Sequence, residues 1–209
     1  MDGMIPNDGE RFVREFRTNA ARLAASGIDF AEHDACGVGL VAALDGKPSR
    51  TVVQAGIDAL KAVWHRGAVD ADGKTGDGAG IHVEIPRDFF AEAVLRGGDT
   101  LKPGRIIVGQ IFLPKTDLGA QERCRQIVET EILAFGYGIY GWRQVPIDVA
   151  CIGEKANATR PEIEQIMVFD PENRDLAVQD RDLYVIRRRI EKAAIAAQIP
   201  DLYICSLSA

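Results

Sequence analysis

The sequence holds only four cysteines and three histidines. Cys36, Cys124, Cys151 and Cys205 include no C-x-x-C pair, so their spacing writes neither a disulfide framework nor a zinc site. His33, His65 and His82 add no ligand-like spacing, and no metal is expected. Scattered free thiols fit a reducing compartment, which makes a cytoplasmic protein the expectation. Positive charge is also in short supply. The net charge is −6, so there is no basic field to hold a nucleic-acid backbone, and no nucleic-acid partner is expected. Long apolar runs are absent. The longest stretch without a charged residue is eleven residues, Ile132 to Trp142, against the ~20 that a bilayer-spanning helix needs. Arg11, Glu15, Arg17 and Arg22 interrupt any secretory signal. No membrane partner is expected. What remains is ordinary globular composition, 46% hydrophobic and 27% charged over 209 residues, enough for one domain or one and a fraction.

The periodicity divides the chain near residue 35. Before it, Phe12, Val13, Phe16, Ala20, Leu23 and Ala24 recur at helical spacing, and this helix stops at Ser26-Gly27. Ile28 to Ala35 reads as an acidic connector. After it, Cys36 to Leu44 reads as an apolar strand ended by Asp45-Gly46. Ser49 is placed to cap a helix whose stripe is Val52, Val53, Gly56, Ile57, Leu60, Val63 and Trp64. A loop from His65 to Gly80 follows, then a short strand at Ile81 to Ile85 and a helix near Asp88 to Leu95 stopped by Gly97-Gly98. Strands are expected at Ile106 to Leu113, Tyr137 to Pro146, Ile163 to Phe169 and Leu202 to Leu207. Helices are expected at Leu118 to Phe135, with Gly136 past its end, and at Asp180 to Ala197. A chain that stops two residues after an apolar strand reads as a truncated one.

The glycine cluster Gly73-Lys-Thr-Gly-Asp-Gly-Ala-Gly80 contains Gly-Lys-Thr but is not a phosphate loop. That loop needs a glycine where Ala68 stands. It is not a dinucleotide fingerprint either, because Ile81 takes the final glycine position and a strand follows. A tight turn is the plain alternative, with glycines where φ is positive. Arg187, Arg188 and Arg189 lie among Asp180, Asp182 and Glu191, as on a solvated helix face. Cys36 has two readings from its position. One is a buried thiol at a strand end. The other is a nucleophile: removal of the preceding residues would give Cys36 a free α-amine of pKa ~8, able to take the thiol proton without a histidine.

Four blocks, His33-Asp-Ala-Cys-Gly-Val-Gly39, Gly46-Lys-Pro-Ser-Arg50, His65-Arg-Gly-Ala-Val-Asp-Ala-Asp72 and Gly73 to Gly80, resemble the start of glutamate synthase large subunits. Gly141-Trp-Arg143, Val145-Pro146 and Tyr203-Ile-Cys-Ser-Leu-Ser208 extend the resemblance over nearly the whole chain. That region of the family is a class II glutamine amidotransferase of the N-terminal-nucleophile hydrolase type. The resemblance implies an α+β fold, a four-layer αββα sandwich with its C-terminal part missing here. It implies a leader or propeptide at 1–35 and a partial glutaminase domain at 36–209. Cys36 would be the nucleophile and, once freed, the terminal amine. Arg66 and Gly67 match the loop beside the nucleophile, and a cation there favours a thiolate; a structural anchor pairing with Asp70, Asp72 or Asp77 is the alternative for Arg66. Asp77 and Gly78 would shape the pocket floor.

The implied partners are glutamine, the remainder of the large subunit and a reductase small subunit. No cofactor is expected in this chain, whereas FMN and an iron–sulfur cluster are expected in the full-length enzyme. The family's carboxylate-binding arginine, its Asn-Gly oxyanion pair and its amine-binding aspartate lie beyond the Cys-Ser-Leu-Ser segment. The isolated 209 residues are therefore expected to be inactive, since one oxyanion donor alone is worth ~10²–10³ in rate. Two other readings stand beside the first. One is a non-catalytic fragment or assembly module, and the other a stand-alone amidotransferase with another acceptor.

Overall fold

The computed structural model describes residues 37–63, 69–76 and 78–209, together with Thr18. The expected leader helix, the acidic connector, Cys36, His65, Arg66, Gly67 and Asp77 lie outside the described residues. The chain divides into two units, Met1–Gly39 and Leu40–Ala209, and the fold set out below is that of the second.

Its centre is one antiparallel sheet of four strands: β1 (Ile106–Leu113), β2 (Gly138–Gln144), β3 (Glu162–Phe169) and β4 (Tyr203–Ser208), in the order β2-β3-β1-β4. β1 pairs with β3 from Ile106↔Phe169 to Leu113↔Glu162 without a break. Because side chains alternate across a strand, Ile107, Ile111 and Leu113 point to one face and Ile106 and Val108 to the other. All five are buried.

Two helices cover the first face, α3 (Leu118–Ala134) and α5 (Leu176–Ala196). Val128 and Ile132 from α3, and Leu183, Ile186 and Ile190 from α5, meet Ile107, Ile111, Ile166 and Ile204 in one core. Each fully buried aliphatic side chain there contributes about 1.5–3 kcal/mol relative to exposure. α3 starts where the Asp117 carboxylate accepts the Ala120 amide at 2.8 Å and stops before Gly136, whose φ is +80°. α5 begins one turn earlier than its apolar stripe suggests, because Asp175 caps it by accepting the Ala177 amide at 2.9 Å.

The second face is covered at one end by α2 (Arg87–Arg96), whose Phe90 and Val94 pack on Ile106, Val108 and Met167. Beyond α2 this face carries a polar row across three strands. Arg143 donates to Gln165 at 2.7 Å, and Gln165 donates to Gln110 at 2.9 Å.

Two expected strands are corrected. Residues 37–44 are extended chain that pairs with no described strand, and Val38, Leu40 and Leu44 are almost wholly exposed. Residues 81–85 are likewise irregular. Their apolar, β-branched composition meets the side-chain preference of a strand, but strand propensity expresses fit to a neighbouring strand and a half-buried surface, and neither has one among the described residues. The turn after the first survives, with Gly46 at φ +65° and its amide on the Ala43 carbonyl at 3.2 Å. The helix α1 (Arg50–Ala62) forms as expected, capped by Ser49, yet buries no residue completely. A 3₁₀ turn at Val149–Cys151 and a short helix α4 (Glu154–Thr159) were not anticipated.

Candidate active site

The motif region opens on a closed turn. An isolated antiparallel bridge joins Val69 to Gly76, the Asp70 amide donates to the Thr75 carbonyl at 2.7 Å, and the Gly73 amide donates to the Asp70 carbonyl at 2.9 Å. Gly73 sits at φ +69°, a conformation that a side chain would strain. Asp72 ties the inside together. One of its oxygens accepts the amides of Lys74 and Thr75 at 2.9 and 2.7 Å, and the other accepts the Thr75 hydroxyl at 2.5 Å. The Thr75 hydroxyl, followed by these two amides, holds the Asp72 carboxyl well below the usual carboxylate range. Up to Gly76 the glycine-rich stretch is thus the plain tight turn.

The turn has a neighbour far along the chain. Lys155 of α4 places its ammonium 2.8 and 2.7 Å from the two oxygens of Asp70, and the Ala156 amide donates to the Thr75 hydroxyl at 3.4 Å. Asp70 and Asp72, two of the three carboxylates that an anchoring Arg66 would use, therefore have partners of their own.

Of the five residues singled out by sequence, Cys36, Arg66, Gly67 and Asp77 lie outside the described residues. Gly78 is described, in irregular and exposed chain, and among the described residues nothing lies within 4 Å of where a side chain would begin. Sequence reasoning missed Lys155 and Gly153. Their contact with the turn spans about eighty positions, and no spacing rule announces such a pair.

A cleft of about 310 Å³ lies between α2 and β2, lined by Phe89, Ala93, Tyr140, Arg143 and Met167 among others. The Arg143 guanidinium stacks on the Phe89 ring at 4.8 Å. Among the described residues no cysteine, serine, histidine or carboxylate lines it. Among the described residues no group of three or more His, Cys, Asp or Glu could hold a metal ion. None of the described helices is long and apolar enough to cross a membrane. The arginine run on α5 is paired with acidic neighbours, Arg187 and Arg188 with Glu191 and Arg189 with Glu131.

Comparison with known proteins places these elements in a family. Residues 36–209 match the profile of the glutamine amidotransferases class-II. The chain is 63% identical over 205 residues to the glutamate synthase [NADPH] large chain of Azospirillum brasilense, a match that covers 97% of this chain and 14% of that protein. It is 40% identical over 182 residues to ferredoxin-dependent glutamate synthase 1, chloroplastic/mitochondrial, of Arabidopsis thaliana, and 39% identical over 178 residues to ferredoxin-dependent glutamate synthase 2 of Synechocystis sp.. In both cases 85% of this chain and 11% of the relative are covered. The chain thus spans about a seventh or less of the length of these relatives. With the profile running from Cys36 to Ala209, the chain belongs to the class-II glutamine amidotransferases.

Proposed function

We propose that this chain is the glutaminase region of a glutamate synthase large subunit, with Cys36 as the nucleophile. The observation that carries the reading is that similarity to the class-II family starts at Cys36 itself. A leader at 1–35 would then be removed to leave Cys36 with both a thiol and a free amine. That amine takes the thiol proton, and the thiolate attacks the side-chain amide carbon of glutamine. The tetrahedral oxyanion collapses, the C–N bond breaks, and ammonia leaves with the proton. Water then attacks the thioester, which releases glutamate and returns the thiol. Arg66 and Gly67 sit beside the nucleophile in this reading, where the guanidinium favours the thiolate. Asp77 and Gly78 line the pocket. The four-stranded sheet with α3 and α5 on one face forms two layers of an αββα sandwich, whose other two layers complete the domain.

In the whole enzyme, which we place in the cytoplasm, the ammonia is used with 2-oxoglutarate to make a second glutamate. FMN and an iron–sulfur cluster serve that step elsewhere in the large subunit. The described cysteines do not fit the cluster, which needs several converging thiolates: Cys124 is buried, whereas Cys151 and Cys205 are exposed. The remaining partners are glutamine, the rest of the large subunit and a reductase small subunit. Glutamate synthases among the relatives favour this acceptor over that of a stand-alone amidotransferase. The test is Cys36→Ser in the full-length enzyme. Glutamine-dependent glutamate formation should vanish while ammonia-dependent formation persists, and the intact mass of the wild-type chain should begin at Cys36. Unchanged glutamine-dependent synthesis in a folded variant would overturn the reading.

A further inference from the structure

The turn Val69–Gly76 is held from outside as well as from within. Its neighbour, residues 153–156, approaches so closely that no side chain fits. A Cβ built on Gly153 would stand 2.1 Å from the Thr75 hydroxyl, 2.4 Å from an Asp72 oxygen and 2.6 Å from the Thr75 amide nitrogen. Lys155 and Ala156 add the contacts to Asp70 and Thr75.

The neighbour is itself fixed to the sheet. The Lys115 ammonium, two residues past β1, donates to the Asn157 carbonyl. Arg160 donates to the Asn157 side chain at 2.9 Å and pairs with Glu162, the first residue of β3, at 3.8 Å. On its other side the Asp148 carboxylate caps the 3₁₀ turn through the Ala150 amide at 3.0 Å. A continuous chain of contacts therefore runs from the ends of β1 and β3, through α4, into the turn.

We propose that Gly153 and Lys155 are positioning residues for glutamine binding: they clasp the turn Val69–Gly76 to the sheet and thereby set the two flanks of that turn. The inference rests on the reading above, in which Arg66-Gly67 and Asp77-Gly78 face the substrate. Those residues flank the turn in sequence, Gly67 two positions before Val69 and Asp77 directly after Gly76. The Val69–Gly76 bridge joins the two ends of the turn, so a displaced turn moves both ends together. An error of about 1 Å in such a scaffold can cost up to ~10²-fold in rate.

The experiment uses the full-length enzyme with Gly153→Ala, Lys155→Met, Lys155→Arg and Cys36→Ser. Gly153→Ala must push Thr75 and Asp72 away, and the expected result is a rise in KM for glutamine of roughly 10- to 100-fold. Lys155→Met removes one solvent-exposed ion pair, with an expected rise of about two- to fivefold. Lys155→Arg should restore the wild-type value. Ammonia-dependent synthesis should stay unchanged in all three, and the melting temperature in the two Lys155 variants, since the clasp acts on the substrate site and not on the core. Alkylation of Cys36 should fall for a chloroketone analogue of glutamine but not for iodoacetamide. A wild-type KM in both Gly153→Ala and Lys155→Met overturns the clasp, as does a parallel fall of ammonia-dependent activity. If Gly153→Ala does not fold, the exposed Lys155 and an Asp70→Asn/Lys155→Met double-mutant cycle decide, and a coupling of zero in KM overturns the proposal. Cys36→Ser separates the two claims: retained glutamine dependence sinks the underlying reading, while its loss with an unchanged KM in the clasp variants sinks only the clasp.

Discussion

Arg125 grips Glu164 with two parallel hydrogen bonds, Nε to one carboxylate oxygen at 2.8 Å and Nη2 to the other at 2.6 Å. The pair bolts α3 to β3 at the edge of the main core. The Glu164 side chain is only 11% exposed, so little water is at hand to replace this partner. The hydrogen bonds that Arg125 donates to Glu164 in turn raise the Arg125 pKa above its usual value. Removing the arginine leaves a nearly buried carboxylate unpaired. Arg125→Met should therefore destabilise the chain by about 3 kcal/mol. The double variant Arg125→Met/Glu164→Leu should recover most of that loss, because the uncompensated charge is gone. Urea-unfolding midpoints of the single and double variants check this; equal losses in both would show that packing, not charge, makes the pair matter.

Cys124 lies on the buried face of α3, fully enclosed. Burial pushes its thiol up to about 11, so almost none is thiolate at pH 8, and no reagent reaches it. In a native sample alkylated with iodoacetamide at pH 8, the peptide carrying Cys124 should stay unmodified and become labelled only in denaturant. Native labelling within minutes would mean that α3 opens locally.

The parts of this fold that sequence reveals are those in which local chemistry and tertiary packing agree. Ile106 to Leu113 is a strand at both levels because it is buried on both faces and paired on both sides. Asp117 and Gly136 bracket α3 for reasons contained in the residues themselves, a capping carboxylate at one end and the lack of a side chain at the other. Residues 37–44 have the same apolar run, but a strand also needs a neighbour, and none is described beside them. The short α4 shows no amphipathic stripe, since its purpose is contact with a turn about eighty residues away. For the candidate site the situation is reversed: Cys36, Arg66 and Asp77 are a reading that the motifs alone carry, whereas the contact of Gly153 and Lys155 with the turn Val69–Gly76 is legible only in three dimensions.

Gly109 occupies the middle of the central strand, opposite Ile166 and Leu207. A Cβ there would stand 2.7 Å from Ile166 Cγ2, 3.1 Å from Leu207 Cδ1 and 3.3 Å from Ile111 Cδ1. All three neighbours sit in or against the main core, so none can yield freely. Although alanine normally favours a strand over glycine, Gly109→Ala should cost about 1–3 kcal/mol through overpacking. Thermal unfolding checks the sign, and a raised melting temperature would show that the core has slack the structure does not display.

Asp170, 3% exposed, closes β3 and organises the start of α5. Its oxygens accept the Arg174 amide at 2.7 Å, the Gln179 side chain and the Glu172 amide at 3.1 Å each, and face the Arg174 guanidinium at 3.6 Å. Burial alone would raise its pKa, but these donors and the Arg174 charge outweigh it, and the carboxyl titrates below its usual value. The unfolded chain, with an aspartate pKa of about 3.9, therefore binds this proton before the folded chain does. Stability from Asp170 is complete above the unfolded value and drains away as pH falls through the folded one. Asp170→Asn keeps the shape but turns one acceptor into a donor facing other donors, at a cost of about 1–3 kcal/mol near neutral pH. The gap in urea midpoint between wild type and Asp170→Asn should be constant from pH 7 to about 5 and narrow steadily below about 4. A gap that stays constant down to pH 2.5 would mean that the ionised carboxylate contributes nothing beyond its shape, and that the hydrogen-bonded turn alone starts α5.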